Sequence, residues 1–480
     1  MPGRRIAPGL SRLAAGTRGP RILLLTSSLG CGHLRAAEAI AAGIRSIMPA
    51  AEIEQLDFWS LMNPGVAAIL QEKYLELVLE NPELYARLHR LDERTWRRVV
   101  ENDIPPPAEV IELIELATSK TDNGPRSNSS LFEWALGPYA SDLLLYPTAC
   151  AAMPTSSRER AGNNVAMLRL ALLKWAFLRL QSRTEQRLAA FQPDAIVATQ
   201  MVPAAIVSAC KTHTRRWAHV PLIGVLTDFG AHDYWAQPGI DLYCVPHETI
   251  AGPPLIEGAA ATSQRIFVTG VPLMPAFAAP PDAAATRRQL GFAADERVVL
   301  VLGGGLGLGL DDVVKTLLRD TKNCTIVVVT GKNDAARRRL QVAARAHGSR
   351  LHVHGWTEHM ERYIVAADLV IGKPGGLTVA EVLACGRPLL VTRSLRGQES
   401  FNVRFLERAR VGRYIAEPEL SECVTRLFAD PAELRAMQQR AWCAGRRDGA
   451  AKIARRAVEL SNASIATMDA PASGVLNGHG

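Results

Sequence analysis

The chain has 480 residues, of which 48% are apolar, and its formal net charge is +8. This length favours two domains, each with its own core, over a single one. The basic excess fits an anionic partner such as a nucleotide, a nucleic acid or an acidic membrane surface, and charge alone does not choose among them. The eight cysteines are scattered without a C-x-x-C pair, which argues for reduced thiols in a cytoplasmic protein and against a zinc site.

Both ends of the chain read as tails. Residues 1–20 contain four arginines but no continuous apolar run, so we predict a disordered basic tail rather than a secretory signal. Residues 461–480 are small and polar, and we predict disorder there as well. No stretch approaches ~18 consecutive apolar residues, so a membrane span is not expected.

The first folded segment is an apolar strand, Arg21 to Ser27, followed by a glycine-containing loop and an alanine-rich helix, Ala36 to Ile47. His33 lies at the start of that helix. Its imidazole titrates near operating pH and the turn can fix its position, so it is a candidate general base. A capping or core histidine is the alternative.

Further buried-type strands alternate with helices through the first half, which predicts a parallel sheet. Asp228 and His232 follow the strand Pro221 to Thr227, and open α/β sheets bind their ligands at such carboxyl ends. His232 is a second candidate for the base, and Asp228 is a candidate for holding an imidazole in one tautomer. Helix capping by Asp228 is an equally good interpretation. The other strands predicted in this half are Glu52 to Phe58, Asp194 to Thr199, Asp241 to Val245 and Arg265 to Thr269.

Between these strands lie three longer segments. Residues 62–91 carry a leucine and aromatic stripe typical of a core helix, and residues 121–164 lack periodicity, which predicts a mobile excursion. Residues 167–188 predict an amphipathic helix whose arginines share one arc. That helix fits either a membrane surface or a core helix with a solvated basic ridge. The arginines are Arg169, Arg179, Arg183 and Arg187.

A proline-rich and alanine-rich linker, residues 271–285, precedes a second alternation of strands and helices. After the first new strand comes a glycine loop that can present several backbone N–H groups to a diphosphate. Neither a Walker A sequence nor the acidic residue of a dinucleotide site follows, which argues against kinase and dehydrogenase functions. The candidate phosphate-binding glycines are Gly303, Gly304, Gly305 and Gly307.

A second glycine turn follows the strand that ends at Gly372. Its glycines and the helix start at Thr378 favour a phosphate. Glu381, one turn into that helix, would repel phosphate but can accept hydrogen bonds from a ribose diol. Gln398, Glu399 and Asn402 lie beyond the next strand and suit sugar hydroxyls. The pattern predicts a nucleotide sugar lying across two loops. The turn itself consists of Lys373, Pro374, Gly375 and Gly376.

The ordered pattern K-P-G-G-x-T-x-x-E followed by G-Q-E-x-x-N resembles the nucleotide-sugar half of glycosyltransferase family 28. Within that family the chain looks most like the monogalactosyldiacylglycerol synthases and the bacterial processive diacylglycerol glycosyltransferases. The pattern T-D-F-x-x-H-x-x-W from Thr227 is also similar, and Cys31 departs from the family's first loop, where glycine is usual. Trp356 and Met360 occupy the loop in which the family holds the nucleotide base.

The resemblance implies an α/β fold of GT-B type, with two facing Rossmann-like domains and a cleft between them. The first domain, residues 21–270, would face the acceptor and the membrane. The second, residues 286–460, would bind the nucleotide sugar, and its last helix would cross back to the first.

The implied activity is that of a UDP-sugar-dependent hexosyltransferase of EC 2.4.1 type, acting with inversion on diacylglycerol or a glycolipid. His33 would be the base, supported by Asp228 and His232, and no cofactor or metal ion is expected. The donor hexose is galactose or glucose. The expected partners are the UDP-sugar, the lipid acceptor and an anionic membrane surface, without nucleic acid. The expected location is the inner face of the cell membrane, as a peripheral protein.

Two alternatives remain open on the sequence. One is transfer of N-acetylglucosamine from its UDP derivative to a polyprenyl-linked acceptor. The other is a non-catalytic UDP-sugar-binding protein on the same fold, which Cys31 in the first loop favours.

Overall fold

The computed structural model describes residues 18–28, 31–61, 177–250, 265–305, 307, 309–322, 324–392 and 398–469. The segments predicted as a core helix over 62–91 and as a mobile excursion over 121–164 lie outside the described residues. So do residues 1–17 of the predicted basic tail and residues 470–480 of the second tail.

The first domain is built on six parallel strands in the order β2-β1-β3-β4-β5-β6. The central strands are short, and nearly all of their residues are buried, because helices cover both faces of the sheet. The strands are β1 (Arg21–Thr26), β2 (Glu52–Asp57), β3 (Ala195–Ala198), β4 (Leu222–Val225), β5 (Leu242–Val245) and β6 (Ile266–Val268).

The second domain repeats this plan with the order β12-β11-β10-β7-β8-β9, again all parallel. The last strand was not predicted. It is a three-residue edge strand with two of its residues exposed, so it lacks the apolar run of the others. The strands are β7 (Val298–Leu302), β8 (Thr325–Val329), β9 (Leu351–His354), β10 (Leu369–Gly372), β11 (Leu389–Val391) and β12 (Gly412–Tyr414).

Twelve helices of the described chain cover these sheets. Those of the first domain are α1 (Cys31–Ile47), α2 (residues 177–191) and α3 (Met201–His213). Those of the second are α4 (Ala283–Gln289), α5 (Leu310–Asp320), α6 (Asp334–His347), α7 (Met360–Ala366), α8 (Gly376–Ala384), α9 (Gln398–Arg408), α10 (Leu420–Ala429), α11 (Pro431–Ala444) and α12 (Gly449–Asp469).

The sequence of α2 fitted either a membrane-surface helix or a core helix with a basic ridge, and the structure distinguishes the two. The apolar face of α2, which includes Phe177, Leu180 and Leu188, packs in the core of the first domain. Arg183 and Arg187 lie on the opposite, exposed face, where Arg187 pairs with Glu54 of β2. The described part of α2 is therefore a core helix with a basic ridge, and its apolar face is not available for insertion into a membrane. No helix in the described ranges is long and apolar enough to span a bilayer.

Helix α12 leaves the second domain and packs on α1 of the first, where Ala454 approaches Gly43. A Cβ atom on Gly43 would lie 3.0 Å from that of Ala454. The helix continues to Asp469, past the predicted start of a disordered tail at residue 461. Ser461 and Ser464 explain the difference because these small polar residues are buried. The Ser461 hydroxyl donates to the Val458 carbonyl oxygen at 2.9 Å, which satisfies it inside the helix.

The predicted fold class, α/β with two parallel sheets of Rossmann type, is confirmed. In the first sheet the chain runs outward from β1 to β2 and then returns to the other side of β1 at β3. In the second sheet the chain runs outward from β7 to β8 and β9 and then returns to the other side of β7 at β10. Such switch points leave a crevice at the carboxyl ends of the two neighbouring strands, where open α/β sheets bind ligands.

Candidate active site

The switch point of the first domain holds His33, in the first turn of α1. Its Nδ1 lies 2.8 Å from the carbonyl oxygen of Thr199, which follows β3. Because a carbonyl only accepts, Nδ1 carries the hydrogen and Nε2 carries the lone pair. The Thr199 hydroxyl donates in turn to the His33 carbonyl oxygen at 3.1 Å. The imidazole is thus fixed as a base with Nε2 as its reactive atom.

The protonation of His33 depends on its burial and on one nearby carboxylate. Burial lowers the pKa of His33, while the charge of Asp228 and the hydrogen bond to Thr199 raise it. The lowered pKa keeps the imidazole neutral at neutral pH, which is the form a general base needs. Once a proton arrives, the Asp228 charge stabilises the imidazolium.

Asp228 was predicted to hold an imidazole in one tautomer, but in the structure another residue does so for His33. The Thr199 carbonyl, rather than Asp228, fixes the His33 tautomer. Between the described residues Asp228 and His33 there is no hydrogen bond, and Asp228 Oδ1 instead accepts one from Asn402 Nδ2 at 2.9 Å. His232 Nδ1 accepts the backbone N–H of Tyr234 at 3.1 Å, so this nitrogen stabilises its own loop.

The switch point of the second domain holds the predicted glycine loop after β7. Gly304, Gly307 and Gly309 have positive φ, which glycine adopts without strain. Gly307 donates its N–H to the Gly304 carbonyl oxygen at 3.1 Å, so the contribution of this residue is to shape the loop. A Cβ on Gly307 would lie 2.1 Å from the Thr330 carbonyl oxygen, which leaves no room for a side chain.

The loop after β8 donates two hydrogen bonds to this glycine loop. Asn333 Nδ2 donates to the Gly307 carbonyl oxygen at 3.0 Å, and Lys332 donates its backbone N–H to Gly305 at 3.1 Å. These two hydrogen bonds hold Gly305 and Gly307 against the loop that follows β8.

The two predicted phosphate elements of the second domain meet at the switch point. Lys373, which follows β10, passes over Gly304, where a Cβ would lie 3.1 Å from Lys373 Cε. Its ammonium group lies 3.1 Å from a carboxylate oxygen of Glu399, in the first turn of α9. The structure thus brings together Gly304, Lys373 and Glu399. Helix α9 begins at Gln398, whose side chain lies outside the described part of the structure.

The turn from Lys373 to Gly376 also forms the contact between the two domains. A Cβ on Gly376 would lie 1.9 Å from the Thr227 carbonyl oxygen and 2.8 Å from Asp228 Oδ1. Gly375, by contrast, has only ordinary contacts at its Cβ position, the nearest being Thr378 Oγ1 at 3.8 Å. Gly376 is therefore needed for the domains to approach, whatever it does for a phosphate.

Glu381 lies on α8 near the interface between the domains. Burial raises the pKa of Glu381 to about 7, Arg35 of α1 opposes that rise and Glu361 adds to it. Arg35 belongs to the first domain and pairs with Glu38 at 2.8 Å. A carboxyl group that is close to half protonated at neutral pH can respond to hydrogen-bond donors such as a ribose diol by ionising.

The predicted base-binding loop lies at the carboxyl end of β9. Trp356 is 46% exposed although it is a large aromatic residue, and Lys332 Nζ lies 5.2 Å from the centre of its ring. Met360 begins helix α7 immediately beyond. An exposed ring beside the glycine loop is available for stacking on a base.

A cavity of about 460 Å³ opens along the domain interface, next to Asp228. Aromatic and aliphatic side chains form most of its wall, and Phe229 stacks on Phe405 with their ring centres 4.2 Å apart. The arginines Arg404 and Arg408 of α9 are also in its lining. A second cavity lies between Arg297 and Arg350, at the amino ends of β7, β8 and β9. None of the predicted site residues lines it.

Three supporting residues were not predicted from the sequence. Thr199 is the last residue of a predicted strand, so the rule that sites form at carboxyl ends could have suggested it. Asn333 has the same signal after β8. Arg35 has none, because its importance comes from the approach of α8, which lies in the other domain.

These observations define a class of architecture. Two Rossmann-type domains face each other, each with its switch point at the cleft, and the last helix returns to the first domain. Solved structures of Acinetobacter baumannii MurG and of S. aureus MnaA with UDP have this fold. MurG matches with a TM-score of 0.53 and 14% identity, over 92% of this chain and 99% of that one. MnaA matches with a TM-score of 0.50 and 12% identity, over 93% and 97%. The predicted GT-B arrangement is confirmed.

Two family models match the chain. Residues 166–273 match the model of the monogalactosyldiacylglycerol synthases, and residues 298–457 match that of the glycosyltransferase family 28 C-terminal domain. Together the two ranges take in more than half of the chain. The second half of the chain thus matches the C-terminal domain of glycosyltransferase family 28, and the predicted resemblance to that family is confirmed.

Among curated proteins, two similar relatives are both named processive diacylglycerol beta-glucosyltransferase. The one from Bacillus pumilus strain SAFR-032 is 30% identical over 260 residues, which is 54% of this chain and 66% of the relative. The one from Bacillus subtilis strain 168 is 29% identical over 251 residues, or 52% and 64%. The matches thus span slightly less than two thirds of each relative's length.

Proposed function

We propose that this protein transfers a hexose from a UDP-sugar to the hydroxyl group of diacylglycerol or a glycolipid, with inversion at the anomeric carbon. One observation carries the proposal. The imidazole of His33 has its lone pair on Nε2, and the carboxylate that acts on it, Asp228, touches the glycine turn of the other domain at Gly376. A base and a phosphate-binding turn therefore meet at one point of the cleft.

The reaction is a direct displacement. The acceptor oxygen forms a bond to the anomeric carbon, the bond from that carbon to the diphosphate breaks, and UDP leaves with the electron pair. His33 Nε2 takes the acceptor proton, and the Asp228 charge stabilises the imidazolium that results. Attack from the side opposite the diphosphate inverts the anomeric configuration.

The leaving diphosphate would be stabilised by backbone N–H donors of the loop 303–309 and the turn 373–376, together with the Lys373 ammonium group. Glu381 would accept hydrogen bonds from the ribose hydroxyls. Gln398 and Glu399 would hold the hexose, and Trp356 with Met360 would hold the base. The convergence of Gly304, Lys373 and Glu399 supports this arrangement.

Glucose is the first choice of donor sugar because the two curated relatives are named as glucosyltransferases that act on diacylglycerol. The choice of UDP as the nucleotide follows from the family resemblance, and a solved structure of an S. aureus protein of the same fold contains UDP.

A lipid acceptor requires contact with a membrane, and we place the enzyme on the inner face of the cell membrane as a peripheral protein. The exposed ridge of α2, which carries Arg183 and Arg187, suits adsorption to anionic lipid through charge rather than through insertion.

The test is incubation of the purified protein with diacylglycerol vesicles or a polyprenyl-linked acceptor, and with one UDP-sugar at a time. The donors are UDP-glucose, UDP-galactose and UDP-N-acetylglucosamine. A hexose on diacylglycerol, with a β-configured anomeric proton in the NMR spectrum, is expected. Transfer only to the polyprenyl acceptor, or UDP binding without transfer to any acceptor, would overturn the proposal.

A further inference from the structure

Both polar atoms of the Asn402 side chain form hydrogen bonds within the protein. Asn402 lies on α9 of the second domain and is fully buried. Its Nδ2 donates to Asp228 Oδ1 at 2.9 Å and to the Pro374 carbonyl oxygen at 2.8 Å. Its Oδ1 accepts the backbone N–H of Phe229 at 2.7 Å. The side chain therefore joins two residues of the first domain to the phosphate turn of the second.

These bonds leave little capacity for a substrate. A carboxamide nitrogen has two hydrogens, and both are taken, one by each domain. The sequence predicted that Asn402 lies with the residues that contact the sugar. The geometry points instead to a residue that acts on the protein.

Asp228, the partner of Asn402, is the carboxylate whose charge raises the pKa of His33, and the hydroxyl oxygen of the preceding Thr227 lies 3.4 Å from His33 Nδ1. Two other charged groups near the cleft form ion pairs with residues other than His33. Arg35, on the same helix as His33, pairs with Glu38, and Lys373, across the cleft, pairs with Glu399. The electrostatic support of an imidazolium at His33 thus depends on where the Asp228 carboxylate is held.

We propose that Asn402 is a positioning residue that holds the Asp228 carboxylate beside His33, and that it does so only while the two domains are in contact. Because Asn402 belongs to the donor-binding domain, the base has its supporting charge only when that domain has docked. The proposal rests on the proposed function, in which His33 removes the acceptor proton.

Two neighbouring contacts between the domains are also tightly packed, so the hydrogen bond from Asn402 to Asp228 forms only when the domains are in contact. Gly376 leaves no space between the phosphate turn and Thr227, and Gly230 leaves none between Phe401 and the loop after Asp228. A Cβ on Gly230 would lie 2.2 Å from the Phe401 ring. Separation of the domains would therefore withdraw Asn402 from Asp228 and remove the hydrogen bond.

The direct test is an NMR titration of the His33 imidazole in the full chain, with its signal assigned by its loss in His33→Gln. Asn402→Ala is expected to lower the pKa of His33, in the same direction as Asp228→Asn, because each weakens the support of the imidazolium. Arg446→Ala is the matched control. The substitution removes the ion pair between Arg446, which precedes α12, and Glu248 of the first domain. This pair, like the Asn402 hydrogen bonds, joins the two domains, but it does not involve Asp228. The His33 titration of this variant should match the wild type.

An unchanged His33 titration in Asn402→Ala would overturn the proposal. If that variant does not fold, Gly376→Ala provides the second route, since the added methyl group pushes the turn away from Asp228. Gly376→Ala should lower the pKa of His33 in the same way, and a wild-type titration there would also overturn the proposal.

Kinetics separate this role from a sugar contact. If Asn402 acts through Asp228, Asn402→Ala lowers kcat by about tenfold or more in the wild type, and lowers it little further in Asp228→Asn. Equal losses in both backgrounds would contradict the proposal. The titration needs no acceptor, so the two ideas fail separately. A shifted His33 without lipid glycosylation would refute the proposed function alone, whereas normal transfer with an unshifted His33 would refute the positioning role alone.

Discussion

Replacing Gly376 by alanine adds one methyl group at the contact between the two domains. Gly376 opens helix α8 and has helical backbone, so the second domain itself can accept alanine. The new Cβ, however, would lie 1.9 Å from the backbone oxygen of Thr227 in the other domain. A backbone atom at the end of a buried strand cannot rotate away as a flexible side chain can, so the domains must move apart.

The size of that movement follows from the distances. A carbon atom and a carbonyl oxygen in contact lie roughly 3.3–3.6 Å apart, so the turn and Thr227 must separate by about 1.4 Å or more. A misplacement of ~1 Å between reacting groups can lower a rate by about 100-fold. We therefore expect kcat of Gly376→Ala to fall by about two orders of magnitude, with a much smaller change in UDP affinity.

The assays are lipid glycosylation for kcat, calorimetry for UDP binding and small-angle X-ray scattering for compactness. Gly375→Ala is the matched control for compactness, because its Cβ would meet no atom closer than 3.8 Å. Gly376→Ala should scatter as a more open particle than Gly375→Ala. Wild-type turnover together with wild-type compactness in Gly376→Ala would refute the interpretation of this contact.

Three further predictions concern the base, the ribose and the membrane. His33→Ala should lower kcat by about 10²–10⁴-fold while UDP binding stays intact by calorimetry; normal turnover would move the base to His232 or elsewhere. Burial raises the pKa of Glu381 to about 7. Bound ribose favours the ionised carboxylate, so UDP should bind more weakly as the pH falls through 7, and Glu381→Gln should flatten this dependence; an equal slope in both proteins would contradict the ribose contact. Replacing Arg179, Arg183 and Arg187 by glutamine should weaken sedimentation with anionic vesicles by about fivefold per charge, and unchanged binding would remove the ridge as a membrane contact.

Much of the fold could be predicted because a parallel sheet covered on both faces leaves a plain signature. Strands such as Val298–Leu302 and Thr325–Val329 are continuous apolar runs, each followed by glycine or polar residues. The edge strand Gly412–Tyr414 has no such run and was missed. The end of α12 was also missed, because Ser461 and Ser464 are polar in composition but buried in packing.

The loops that carry the candidate site could be predicted one at a time, but the contacts between them could not. His33, Asp228 and the turn at Gly376 each follow a recognisable strand, which is why their loops were identified. Their connections are long-range. Thr199 lies 166 residues from His33, and Asn402 lies 174 residues from Asp228. No local pattern reports which groups meet when two domains dock, so the roles of Thr199 and Asn402 emerged only from the structure.

The role we propose for His33 is that of the base when the cleft glycosylates a lipid hydroxyl. Its most direct test compares wild-type protein and His33→Ala, each incubated with diacylglycerol vesicles and UDP-glucose, with the lipid products resolved by mass. This role requires a hexose-sized increment on diacylglycerol with the wild type and its loss in the variant, although both proteins bind UDP. Equal product from both proteins, or none from the wild type with any UDP-hexose, would contradict it.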